Sequence, residues 1–161
     1  MTEREYNDCV NMYADNVYRF ILKNLKNEDD AKDVVQTAFE KVWINRETVD
    51  NAKCKSFLFT VAYNSMIDLI RKNKKIVLKD EFGERSLGSN NQQQNTKRIL
   101  QEALNRLNDR DRSLVMLKDY EGYNYVEIGE ITGLNESQVK VYLHRARLQL
   151  REYLVKMENV I

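Results

Sequence analysis

The segment YVEIGEITGLNESQVKVYLHRAR (125–147) has residue types and spacing suited to reading DNA through a helix-turn-helix. A short first helix carries the small Gly129 where a partner helix must approach closely. Gly133 can take the left-handed conformation of the turn, and Leu134 can plug the angle between the helices. Asn135 or Ser137 can cap the second helix. That helix would bury Val139, Leu143 and Ala146 and turn Gln138, Lys140, Val141, His144 and Arg145 outward. Small, polar and basic groups near the start of a major-groove helix meet base edges, and positive charge further along meets phosphates. An ordinary helical hairpin with an exposed basic face has the same periodicity, so the segment by itself leaves both readings open.

A second constellation precedes it. Lys53 and Lys55 lead into Phe57, Phe59 and Tyr63, and then into Asn64, Asp68, Arg71, Lys72, Lys74 and Lys75. Aromatic rings mixed with cations suit unstacked bases, whose faces stack for about 1–3 kcal/mol each. The same rings can equally be core. Charge favours nucleic acid slightly. Residues 51–78 carry six basic side chains against one acidic, and 137–156 carry five against one, in a chain whose net charge is only +1. Two basic islands in an otherwise acidic chain attract polyanions.

Helices must position both sets. The 161 residues include no proline and five glycines, which permits long uninterrupted helices. Tyr6, Val10, Tyr13, Val17, Ile21 and Leu25 fall at the spacing of one helical face. Asn27 can cap a second helix, with Asp29 and Asp30 in its first turn beside the helix dipole; Val34, Val35, Ala38, Phe39, Val42 and Trp43 share its face. A third helix is predicted from about Ser56 to Arg71. The polar stretch 79–95, with two glycines, three glutamines and three asparagines, reads as a flexible linker. Helical stripes resume with Ile99, Leu100, Ala103, Leu104 and Leu107. The expectation is an all-α chain of two small helical domains, 1–78 and 96–161, joined by 79–95.

Several chemistries lack their residues. His144 is the lone histidine, and Cys9 and Cys54 are too far apart for a short-spaced zinc pair. Two reduced thiols are expected there, with a disulfide left open. No phosphate loop, two-metal acid cluster or Ser/His/Asp set occurs, so no catalytic residue, metal or cofactor is expected. No apolar run approaches the roughly 18 residues a membrane span needs. MTEREYND at the start lacks the pattern of a signal peptide. A cytoplasmic protein is expected.

The segment DAKDVVQTAFEKVW (30–43), followed by KSFLFTVAYNSMIDLIRKNKK (55–75), resembles region two of the sigma-70 family of RNA polymerase sigma factors, in its extracytoplasmic-function (ECF) branch. The helix-turn-helix with its terminal HRARLQLR resembles region four. The likeness covers about residues 10–155, in matching order and spacing. It implies that Asp33, Gln36 and Glu40 dock on the clamp helices of the polymerase largest subunit, while region four engages the flap of the second-largest subunit. It also implies that Lys53, Ser56, Phe57, Asn64, Asp68 and Arg71 read the minus-ten element of promoter DNA. Gln138, Lys140, Val141, His144 and Arg145 would read the minus-thirty-five element. An anti-sigma factor is a further implied partner; a small-molecule substrate and membrane insertion are not implied. Two positions depart from the family pattern. Asn108 stands after Leu107 where proline is common, which should alter only a helix start, and Tyr63 stands where arginine is common before Asn64. The alternatives are a free-standing operator-binding regulator and, from another class, a nucleic-acid-processing enzyme.

Overall fold

A computed structural model describes residues 1–76 and 92–160, and among them every regular element is helical. Helices α1 (Glu3–Leu25), α2 (Glu28–Ile44) and α3 (Cys54–Ile76) form a first body, with a single 3-10 turn at Asn51–Lys53 leading into α3. Helices α4 (Gln92–Arg106), α5 (Asp109–Val115), α6 (Tyr125–Thr132) and α7 (Glu136–Val160) form a second. Helix α4 starts inside the stretch expected to be linker; the rest of that stretch lies outside the described residues.

Local chemistry starts the helices where the sequence places polar caps. Thr2 and Glu5 form a reciprocal capping box at the start of α1. The Asn27 side chain accepts from the Asp30 amide at 3.0 Å and opens α2. Asn108 opens α5 by accepting from the Asp111 amide at 2.8 Å, so the residue found in place of proline does the work of a helix start. Asn124 and Glu127 form the capping box of α6. Past Val115 the chain widens by one residue per turn over Met116–Tyr120, where the Glu121 amide reaches back to the Met116 carbonyl at 3.0 Å.

The first body packs its three helices pairwise around Val17, Phe20, Ile21, Ala38, Val42, Leu58 and Phe59. The second packs Leu104, Leu114, Leu117, Ile128, Ile131, Val139 and Leu143. Burying side chains of this size contributes about 1.5–3 kcal/mol each. These two sets belong to one continuous core, because α3 lies against α6 and the end of α1 touches α5. Tyr123, in the turn before α6, puts its ring edge-on to Phe59, with centroids 5.4 Å apart.

The expectation of two reduced thiols is corrected: Cys9 of α1 and Cys54 of α3 form a disulfide. The packing of α1 on α3 brings their Cα atoms to 6.6 Å, within bridging range. Both are buried, at 6% and 1% exposure, so the pair lies in the core of the first body.

Candidate nucleic-acid interface

The 125–147 segment folds as a helix, a tight turn and a second helix. Gly133 ends α6 in the left-handed region (φ 81°), and its amide donates to the Gly129 carbonyl at 2.8 Å. Gly129 lies close against the turn: a Cβ added there would lie 2.6 Å from the Leu134 carbonyl oxygen. Leu134 is half-buried in the angle, as expected. Of the two cap candidates, Asn135 takes the role. Its side chain accepts from the Gln138 amide at 2.8 Å, and the Gln138 side chain accepts from the Asn135 amide at 3.0 Å.

Val139, Leu143 and Ala146 are buried, and Gln138, Lys140, Val141, His144 and Arg145 are all exposed. Lys140 pairs with Glu136 at 3.4 Å across one turn of α7. Among the described residues no salt bridge engages Arg145. Arg147 is pinned to Asp119 by an ion pair whose hydrogen bond holds the guanidinium firmly charged. Arg110 stacks on the Tyr142 ring at 3.6 Å. The outward side of α7 is therefore presented on a braced helix, with cations free of the core.

In the first body, Phe57, Asn64, Asp68 and Arg71 align along α3. At about 100° per residue they fall within roughly 60° of one another. Lys53 is exposed in the 3-10 turn just before, and Ser56 lies about a quarter-turn aside. Phe57 is half-buried, and Asn64, Asp68 and Arg71 are exposed. Phe59 and Tyr63, for which base stacking and core were both open, are core at 0% and 7% exposure. Burial pushes the Tyr63 phenol up, with Arg110, Asp109 and Arg71 nearby.

Asp33, Gln36 and Glu40 are exposed on α2, opposite Val35 and Val42. Gln36 donates to the Glu40 carboxylate at 3.3 Å. Asp33 faces a groove of about 290 Å³ between α2 and α3 that it shares with Asp68, Ser65 and Lys72. One residue expected to bind polymerase thus lies beside one expected to bind DNA.

The sequence reading missed an apolar wall next to Glu40. Trp43, counted with the core face, is half-buried. Its ring meets Tyr6 at 4.9 Å and Arg46 at 3.9 Å, and beside it Ile44 is 74% exposed. An isoleucine directly after the only tryptophan, off the apolar stripe, is the signal that could have found it. In the sequence nothing distinguishes Lys55 from the cations around it. It sits 4.8 Å from the Tyr123 ring and 5.6 Å from Tyr13.

Residues 9–76 match the family model for Sigma-70 region 2, and residues 97–150 match the model for Sigma-70, region 4. The chain is 34% identical over 149 residues to RNA polymerase sigma factor SigV of Bacillus subtilis, covering 92% of this chain and 90% of that protein. It is 32% identical to ECF RNA polymerase sigma factor SigM of the same organism, over 89% of this chain and 91% of that one. Among solved structures, it resembles the sigma factor RpoE in complex with the anti-sigma factor NepR from Bartonella quintana. The TM-score is 0.75 at 22% identity, covering 94% of this chain and 97% of that one. It also resembles CnrH in complex with the cytosolic domain of CnrY, with a TM-score of 0.73 at 20% identity, over 96% and 90%. Both structural likenesses span the two helical bodies and establish the fold.

Proposed function

The chain belongs to the sigma-70 family of RNA polymerase sigma factors, in its ECF branch, and from that membership we propose how its surfaces divide the work of transcription initiation. As a sigma factor it binds core RNA polymerase, directs it to specific promoters and assists their melting. The family acts by binding, and we assign no catalytic residue and no cofactor.

The observation that carries the reading is the pair of family matches in one chain, region two before region four. We assign residues 1–78 to region two, 79–95 to the linker and 96–161 to region four. Asp33, Gln36 and Glu40 are the docking residues for the clamp helices of the largest subunit; their exposure opposite the buried stripe of α2 supports this. The region-four surface engages the flap of the second-largest subunit. Lys53, Ser56, Phe57, Asn64, Asp68 and Arg71 read the minus-ten element. Unstacking a base step costs a few kcal/mol, which capture of a flipped base and backbone contacts offset within the holoenzyme. Gln138, Lys140, Val141, His144 and Arg145 read the minus-thirty-five element, a role supported by their common exposure on α7.

An anti-sigma factor is the expected regulator. No helix among the described residues is long and apolar enough to cross a membrane, and we place the protein in the cytoplasm, where the polymerase acts. The deciding experiment is transcription with bacterial core polymerase on a genomic fragment library. Promoter-specific initiation should appear only when this protein is added. A chain that bound DNA by itself and never joined core enzyme would be a free-standing regulator instead.

A further inference from the structure

The first helical body has a core that does not depend on a covalent staple. Val17, Phe20 and Ile21 of α1 and Leu58, Phe59 and Ala62 of α3 are buried, and α1, α2 and α3 pack on one another. Disulfides that hold a fold together belong to oxidising compartments and to small domains short of core. In the compartment where RNA polymerase acts, thiols are kept reduced, and the disulfides that form there are catalytic or redox-sensing. Cys9 and Cys54 are nonetheless placed to bridge, with Cα atoms 6.6 Å apart.

The surroundings differ at the two ends of the pair. Cys54 is the first residue of α3, where the helix dipole and the amides of the first turn favour a thiolate. Lys53 and Lys55 flank it in sequence, and the Lys55 ammonium reaches to within 5.6 Å of the Tyr13 ring on α1. Cys9 lies further along its own helix, directly after Asp8, and has no such support. Apolar burial by itself raises a thiol and leaves it inert; the helix start and its lysines oppose that at Cys54. Cys9 is 6% and Cys54 1% exposed, so a small peroxide is favoured over a bulky disulfide as the oxidant.

We propose that Cys9 and Cys54 are a peroxide-responsive dithiol, and that their bridge sets how firmly the minus-ten surface is held. The Cys54 thiolate attacks hydrogen peroxide, the O–O bond breaks, and Cys54 becomes a sulfenic acid while hydroxide leaves and takes up a proton as water. The Cys9 sulfur then attacks Cys54: the S–S bond forms, the S–O bond breaks, and the hydroxyl departs with the Cys9 proton as a second water. The dithiol gives up two electrons and the peroxide takes them. A dithiol reductant reverses the change by exchange. The reducing surroundings and the minus-ten role both rest on the sigma-factor reading. Lys53, Ser56 and Phe57 lie within three positions of Cys54, and the 3-10 turn that carries Lys53 also rests on α1. The closed bridge ties that turn and the first turn of α3 to α1. The open dithiol leaves them held by packing alone and freer to fray.

The test begins with the full chain, reduced with a dithiol, desalted, and exposed to hydrogen peroxide or to glutathione disulfide. Peroxide should remove both free thiols and lower the mass by two hydrogens, and fresh dithiol should restore them. Glutathione disulfide should act about tenfold more slowly. A sulfenic-acid trap should label Cys54 in Cys9→Ser and leave Cys9 unlabelled in Cys54→Ser. Each redox form is then desalted and joined to core polymerase. Opening of the minus-ten region, read by permanganate footprinting, should be about fivefold weaker with the reduced chain, with protection of the upstream element unchanged. Cys9→Ser/Cys54→Ser should match the reduced chain and ignore peroxide. A dithiol that peroxide leaves unchanged overturns the proposal. So does a reduced chain that loses its helix content, because the bridge is then a fixed staple. Equal opening by the two forms overturns the link to the minus-ten surface. A bridge that closes and reopens in a chain that never binds core keeps the oxidation site and removes the sigma-factor assignment.

Discussion

Asn24 and Arg112, 88 positions apart in sequence, share a buried hydrogen bond of 3.0 Å that ties the first helical body to the second. Arg112 is 5% exposed and is otherwise held by Asp109 and by the Leu107 carbonyl at 3.2 Å. Removing Asn24 leaves a buried guanidinium N–H without its acceptor. Asn24→Ala should therefore lower the unfolding free energy in urea by about 2–4 kcal/mol. The double variant Asn24→Leu/Arg112→Met should recover part of that loss, since no guanidinium is left buried without its acceptor, while Asp109 and the Leu107 carbonyl each lose a donor. Additive losses would show that the two residues act independently.

Gly129 holds the helix-turn-helix angle. Any side chain there must displace the Leu134 backbone, 2.6 Å from the position of a Cβ. Gly129→Val should reduce recognition of the upstream promoter element at least tenfold, and Gly133→Ala, at φ 81°, should cost about 1 kcal/mol of stability. Footprinting and thermal melts separate the two effects.

Asp33→Arg should weaken core polymerase binding about tenfold while the melting temperature stays near the parent's, since the side chain is exposed. Unchanged affinity in a core-binding titration would remove Asp33 from the docking surface.

Arg145→Ala should relax choice of the upstream element, by about 1–3 kcal/mol of discrimination if the side chain meets a base edge. Competition between promoter variants is the measurement. A uniform loss across all sequences, with a shallower salt dependence, would make Arg145 a phosphate contact.

Opening the Cys9–Cys54 bridge releases a loop with a sequence separation of 45. Cys9→Ser/Cys54→Ser should destabilise the first body by about 2–4 kcal/mol against the oxidised parent. Urea melts with and without a dithiol reductant should give that difference for the parent and none for the variant.

The helices were legible because their signals are local. The apolar spacing of α1 and α2, the caps at Asn27 and Asn124, and Gly133 between α6 and α7 each act within a few residues. Other features depend on which helices meet. Phe59 and Tyr63 have the same composition whether they stack on bases or fill a core, and the packing of α1 and α6 on α3 decides it. The same holds for Cys9 and Cys54, whose pairing needs α1 beside α3. Asn24 reads as an unremarkable polar residue near a helix end until Arg112 arrives from the far half of the chain. The first turn of α4 reads as linker because Gln92, Gln93, Gln94 and Asn95 offer no apolar stripe.

The reciprocal bonds between Asn135 and Gln138 bear on how promoter preference can drift. Gln138 is assigned to base reading and also secures the first turn of the helix that carries it. A substitution there alters the letter read and the rigidity of the reader together, and selection would see both at once. Val141, His144 and Arg145 have no such second duty. A lineage of such proteins acquiring new target promoters would be expected to vary first at those three positions, and at Gln138 only when another residue had taken over the cap.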